Sequence, residues 1–259
     1  MEVELTGGTA NRGRVVRVGG TVRRPRTPTS PSVHALLRHL EDTGFDGAPR
    51  YLGDDASGRE VLSYVEGDVP VRPTPAWALT DSALVSVAAL LRRYHEAVAD
   101  FDPSPYRWAT SVPDRYRGTS VTHNDPNLDN VVFRDGVAVA LIDFDLASPG
   151  RAEWDLAAAA RLWVPLQDPR DTATSIAERV PERLRLFADA YGLVGDQRRD
   201  MVRAVPLSHE WGYDIVREGA RGGNDAYADY WERAQARFTR TQTWLEGNVD
   251  DLVSVVSDA

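Results

Sequence analysis

Between Thr122 and Asp145 the chain reads THNDPNLDNVVFRDGVAVALIDFD, which gathers His123, Asp125, Asn130 and Asp143 into one short stretch. These residue types suit phosphoryl transfer. One carboxylate orients an attacking hydroxyl, while an amide and a second carboxylate hold Mg²⁺ against the phosphates of a nucleotide. Asp125 takes the first role, and Asn130 and Asp143 the second. Asp145 either contacts a second Mg²⁺ or tunes the first from behind.

The spacing lets local folding assemble this set. Asp125 and Asn130 flank a polar turn containing Pro126, so a short loop aims both side chains at one point. Val131 to Phe133, the turn Arg134-Asp135-Gly136 and the apolar run Val137 to Ile142 read as a β-hairpin with a turn-favouring Asp-Gly pair. The hairpin returns Asp143 to the neighbourhood of Asn130.

The pattern resembles the H-x-D-x-x-x-x-N catalytic loop and I-D-x-D metal strand of the aminoglycoside phosphotransferase and choline kinase superfamily, relatives of the protein kinases. His-Asn-Asp is similar to the choline kinase version of the loop, and SPGRAEWDLAAAARLWVPL from Ser148 resembles a bacterial, trifolitoxin-immunity-like branch. The resemblance implies Mg²⁺ as cofactor, ATP or GTP as co-substrate and a small-molecule hydroxyl as acceptor. It makes His123 a brace of the catalytic loop, and Asp155 a helix cap or an anchor of that loop. Ser63 and Val65, in Ser63-Tyr64-Val65-Glu66-Gly67, fall where such proteins offer backbone groups to adenine.

Two departures concern the nucleotide. Relatives grip the α- and β-phosphates with a lysine on the third strand, and this chain has no lysine at all. The cation must be arginine: Arg23 is the first choice in Thr21-Val22-Arg23-Arg24-Pro25 and Arg24 the second, because strand alternation turns only one toward the cleft. The helix glutamate that pairs with that lysine is also missing; Val33-His34 stands there and Glu41 lies near the helix end. Gly7 and Gly8 with Asn11 either bring backbone amides to the phosphates or form a plain hairpin turn.

The elements that must position these groups fall into two parts. Glu2 to Leu5, Arg14 to Val18 and Thr21 to Arg24 read as strands joined by glycine turns. A helix follows over Ser32 to Asp42 with Ser32 as N-cap, then two strands near Arg50 to Leu52 and Glu60 to Val65. Helical patterns fill Thr80 to Ala99 and most of the chain from Arg151, interrupted by Pro165, Pro169 and Pro181. The expected fold is α+β and protein-kinase-like: residues 1–67 as a nucleotide-binding lobe with a five-stranded antiparallel sheet and one helix, and residues 68–259 as a larger, mainly helical lobe with the catalytic loop, metal site and substrate pocket.

Composition bounds the partners. With 42% hydrophobic and 27% charged residues the 259-residue chain has ordinary globular usage. Zero cysteines exclude disulfides and thiolate chemistry. There is no charged-then-apolar leader and no run of about eighteen apolar residues, so a cytoplasmic location without membrane contact is the expectation. Residues 1–67 are charge-balanced and the whole net charge of −9 lies beyond them, which argues against nucleic acid. The expected state is a monomer or weak dimer.

For the acceptor, Leu207 to Glu232 interleaves acids with Trp and Tyr. Glu210, Asp214 and Glu218 recur four apart beside Trp211, and would either draw a cationic antibiotic or amino alcohol into a pocket or form a solvated helix face. Two readings of the whole remain: a small-molecule kinase, or a toxin or antibiotic immunity protein that binds on the same fold without turnover.

Overall fold

A computed structural model describes residues 2–5, 14–71 and 73–257; Gly7, Gly8 and Asn11 lie outside them. Strands β1 (Glu2–Glu4), β2 (Val16–Val18), β3 (Thr21–Arg24), β4 (Tyr51–Asp54) and β5 (Glu60–Ser63) form an antiparallel sheet in the order β1-β2-β3-β5-β4. Helix α1 (Ser30–Asp42) is inserted between β3 and β4. It starts two residues before the expected cap: Pro31 sits in its first turn, where a missing N–H costs nothing, and Ser32 is buried, donating to the Arg107 carbonyl instead of capping. Val33, Leu36, Leu37 and Leu40 fall on one stripe and are buried.

Six more helices follow among the described residues: α2 (Asp81–Ala97), α3 (Ala152–Trp163), α4 (Thr174–Ala177), α5 (Val180–Tyr191), α6 (Asp196–Arg221) and α7 (Asp225–Ser257). Thr80 caps α2 by accepting from the Ala83 N–H at 3.2 Å. Pro181 opens α5 rather than breaking a helix, and Pro206 lies inside α6. Between α2 and α3 come β6 (Ser120–Thr122), the hairpin β7 (Val131–Arg134) and β8 (Val137–Leu141), and β9 (Ser148–Gly150), which pairs with β6. The hairpin forms as its sequence indicated. Asp135 and Gly136 both adopt positive φ, 51° and 77°, the conformation a two-residue turn of this hand needs.

Two features fix the sheet against the helical body. One apolar core runs without a break from Leu37 on α1 through Leu91 on α2 to Trp154 on α3, Phe187 on α5 and Val202 on α6. The linker is clamped as well: Asp68 and Phe133 exchange both backbone hydrogen bonds at 2.8 Å. Gly67 beside them has φ 149°, and a Cβ there would meet the Phe133 carbonyl oxygen at 2.4 Å. The chain therefore passes from sheet to helices pressed against β7, with the mouth of a cavity between them.

Candidate active site

The loop from His123 to Asn130 hangs from α3 and from the segment after β8 that carries Asp143. Asp155, fully buried on α3, accepts the backbone N–H of His123 at 2.8 Å and of Asn124 at 2.7 Å, and pairs with His95 of α2 at 3.0 Å. Burial alone would raise this carboxyl; the His95 hydrogen bond and the neighbouring His95 and His123 hold it below the ordinary carboxylate range. Asp155 is thus a loop anchor. The Trp163 indole adds a second tie, donating to the Pro126 carbonyl at 2.9 Å.

His123 joins the loop to the segment that follows β8. Its Nε2 lies 3.0 Å from the Ile142 carbonyl and its Nδ1 accepts the Asp125 N–H at 3.3 Å, so the neutral ring donates one way and accepts the other. Burial depresses its pKa, which keeps it uncharged in this brace. Asn124, at positive φ of 66°, donates to the Leu146 carbonyl and the Ser148 hydroxyl, both at 2.8 Å, and so ties the loop to the segment after Asp145. Sequence reading had not given Asn124 a role.

Asp125 faces the cavity. Asn130 donates to its side chain at 2.8 Å and to its carbonyl at 3.0 Å, and Asn127 donates to its other oxygen. Burial first, then the charges of Asp143 and Asp129, push its pKa up to about 7. Asp143 holds a left-handed backbone, φ 63°, a conformation non-glycine residues keep only where surroundings impose it. Asp145 is raised to about 6 by burial and by Asp143.

The cation nearest these carboxylates is Arg24. From β3 it reaches Asp145 at 2.6 Å and Asp143 at 3.2 Å, while its Nε bonds Glu60 on β5, which is in turn bonded by His34 of α1. Arg24, Glu60 and His34 are all buried, and His34 stacks on Tyr51 with ring centroids 3.6 Å apart. Arg23 was the first choice for this place, and alternation turns it to the other side of the sheet, where it meets Asp55 at 3.5 Å. His34 does stand where a helix glutamate was missing; the glutamate comes from β5, one strand over.

In the linker, the Ser63 N–H is used by the Arg50 carbonyl at 2.8 Å and the Tyr64 N–H by the Gly20 carbonyl at 2.9 Å, so Ser63 is part of the sheet. Val65 lies just beyond the last strand.

The cavity over Asp125, about 420 Å³, is walled by α3, α6 and α7. Trp211 lines it and donates to the Ser111 carbonyl at 3.0 Å. Glu210, Asp214 and Glu218 do not. They point to solvent on the outer face of α6, and Asp214 pairs with Arg217 on its own helix. Ser208, His209, Gly212, Tyr213 and Val216 form the inner face instead. The four-residue spacing placed the acids together correctly; it could not say which way their face looks.

Mg²⁺ suits this donor set. It binds through one or two carboxylates plus phosphate oxygens and water, and here the clustered Asp143 and Asp145 carboxylates are held by a stand-in cation, the Arg24 guanidinium. Asn130, Asp143 and Asp145 are the groups that could hold the ion.

A loop bearing Asp125 and Asn130, a two-aspartate turn after β8 and a buried arginine from a small sheet are the features of a phosphotransferase fold. The chain belongs to the phosphotransferase enzyme family, whose model matches residues 106–187. It is 39% identical over 260 residues to the trifolitoxin immunity protein of Rhizobium leguminosarum bv. trifolii, covering 94% of each chain. Among solved structures its fold is similar to a choline/ethanolamine kinase family protein from Mesorhizobium loti, with TM-score 0.62 and 16% identity over 100% of this chain and 93% of that one. It is also similar to the GDP complex of aminoglycoside 2'-phosphotransferase-IIIa, with TM-score 0.56 and 15% identity over 97% and 93%. The fold is α+β and kinase-like, with the five-stranded antiparallel sheet the sequence indicated. No helix among the described residues is long and apolar enough to cross a membrane.

Proposed function

We propose that this chain transfers the γ-phosphoryl group of ATP or GTP to a hydroxyl of a small molecule in the cytoplasm. The observation that carries the reading is the convergence of Asp125, Asn130, Asp143 and Asp145 at the floor of one cavity, with Arg24 bonded to the last two. Asp125 accepts the acceptor's hydroxyl proton as that oxygen bonds to the γ-phosphorus. The bond from phosphorus to the β,γ-bridging oxygen breaks, and its electron pair leaves with the nucleoside diphosphate. Bound Mg²⁺ would supply charge for the developing phosphate oxygens. Asn130, Asp143 and Asp145 would hold it, and Arg24 would turn from the two aspartates to the phosphates, a task a guanidinium fork performs well. His123, Asn124 and Asp155 keep Asp125 in place without touching substrate. The preference for a cationic acceptor loses its ground, since the three acids that suggested it lie outside the cavity.

A binding-only immunity protein is the second reading, favoured by arginine standing for the usual lysine and by the name of the 39% identical relative. Calorimetry with ATP and Mg²⁺, followed by a mass-spectrometric search for a phosphorylated product, separates the two. Nucleotide binding with product formation supports the kinase; a chain that binds no nucleotide overturns it.

A further inference from the structure

The acceptor's charge can be read from the cavity wall. Beyond the carboxylates of Asp125, Asp129, Asp143 and Asp145 at its floor, the charged side chains among the described lining residues are Arg161 of α3 and Arg237 of α7. Both are half-buried. Both line the same cavity as His209 and Tyr230, and the charge of each guanidinium acts on both of those groups. Arg161 also acts on Asp125, which places it at the reacting end. Arg237 is hydrogen-bonded to Tyr213, and Asp171, a carboxylate whose charge also reaches it, is held by Arg240 at 2.8 Å. His209 adds no charge of its own; burial and then Arg161 push it down to about 3, and Gln242 bonds its Nδ1 at 2.8 Å. The rest of the wall mixes aromatic and apolar groups, Trp211, Tyr213, Ile215 and Val216 among them, with the neutral polar Gln167, Ser208 and Thr241.

We propose that the acceptor is a hydroxyl compound bearing an oxyanion, most simply a carboxylate, which binds between Arg161 and Arg237 with its apolar body against Trp211 and its hydroxyl at Asp125. A cation placed there would meet two guanidiniums at short range in a partly desolvated site, where like charges repel strongly. An oxyanion gains charge-assisted hydrogen bonds from both. This inference rests on the phosphotransferase reading for the place of the hydroxyl.

Three matched compounds test it: phenyllactate, phenylpropanediol and phenylalaninol carry the same ring and a hydroxyl, with an anionic, neutral and cationic end. Binding to the full chain with Mg²⁺ and a non-hydrolysable ATP analogue is read by ligand-observed NMR. Phenyllactate should bind roughly tenfold more tightly than the diol, the value of one charged hydrogen bond, with phenylalaninol weakest. Arg237→Gln and Arg161→Gln should each bring phenyllactate near the diol, and Arg237→Lys should keep part of the preference; a melting curve on each variant shows that it is folded. Equal binding of the three, tighter phenylalaninol, or no phenyllactate binding overturns the proposal. Transfer from ATP is scored separately. Anion binding without any phosphorylated product sinks the kinase reading and leaves this one, whereas Mg²⁺-dependent phosphorylation of the amino alcohol alone does the reverse.

Discussion

Arg24 hydrogen-bonds Asp145 at 2.6 Å across the cleft between the small sheet and the turn that follows β8, and it does so from a buried position fixed by Glu60. Under the proposed function, a guanidinium held between two strands and the Asp143 and Asp145 carboxylates is placed to exchange those carboxylates for phosphates. Arg24→Ala should therefore weaken ATP affinity by about tenfold or more, the value of a lost charge-assisted contact. Arg23→Ala, which removes a partly exposed ion pair with Asp55 worth about 0–1 kcal/mol, should leave ATP binding near wild type. Calorimetric titration of the two variants checks the order, and the reverse order would return the phosphate contact to Arg23.

Glu60 is 1% exposed and serves both Arg24 and His34. Removing one partner of a buried ion pair leaves the other uncompensated, at a cost of about 3–5 kcal/mol. Glu60→Ala should lower the urea midpoint accordingly and weaken ATP binding together with it. Glu60→Gln, which keeps a hydrogen-bonding oxygen, should recover much of the stability and little of the affinity. Full ATP affinity in a folded Glu60→Gln would show that Arg24 needs no such partner.

Asp125 carries a cost in the metal-free protein. Its folded pKa of about 7 stands above the ordinary 3.8, so the folded state takes up its proton first. The destabilisation is fully present above pH 7 and is relieved as pH falls toward the unfolded value. In chelator, Asp125→Asn should melt several degrees higher than wild type at pH 8, and the gap should shrink steadily toward pH 5. Thermal melts across that range test the sign; a gap that widens in acid would contradict the raised pKa.

The outer face of α6 gives a contrasting expectation. Asp214→Asn deletes an exposed pair with Arg217, and pairs of this kind contribute about 0.2–0.5 kcal/mol. Stability should change by no more than that and acceptor KM not at all. Trp211→Ala, inside the cavity, should raise acceptor KM. A KM effect in Asp214→Asn alone would restore the acidic face as a substrate site.

These contrasts show what one-dimensional information carried. The catalytic loop and hairpin were readable because their geometry is local: Asp125 and Asn130 share a turn, and Asp135-Gly136 supplies the positive φ that returns the chain to Asp143. Antiparallel order and the α1 stripe followed from periodicity. Arg24 over Arg23 depended on strand parity relative to a cleft not yet built. Glu60 depended on the β3–β5 register that sets it opposite Arg24, and no spacing reports a register between segments 36 residues apart. Ser32 failed as a cap because Pro31 allows the helix to begin earlier. Arg161 of α3 and Arg237 of α7 line one cavity only because both helices pack on α6, so nothing local could have paired them.

The central claim is phosphoryl transfer directed by Asp125, and the most direct measurement is mass spectrometry of a hydroxyl-compound panel incubated with ATP, Mg²⁺ and either wild type or Asp125→Asn, with nucleotide binding by each protein measured in parallel. The expected result is a phosphorylated product from wild type, slowed by about 10²–10⁴-fold in Asp125→Asn while both proteins bind ATP equally. A product formed at the same rate by both proteins, or no product from a wild type that binds ATP, would contradict it.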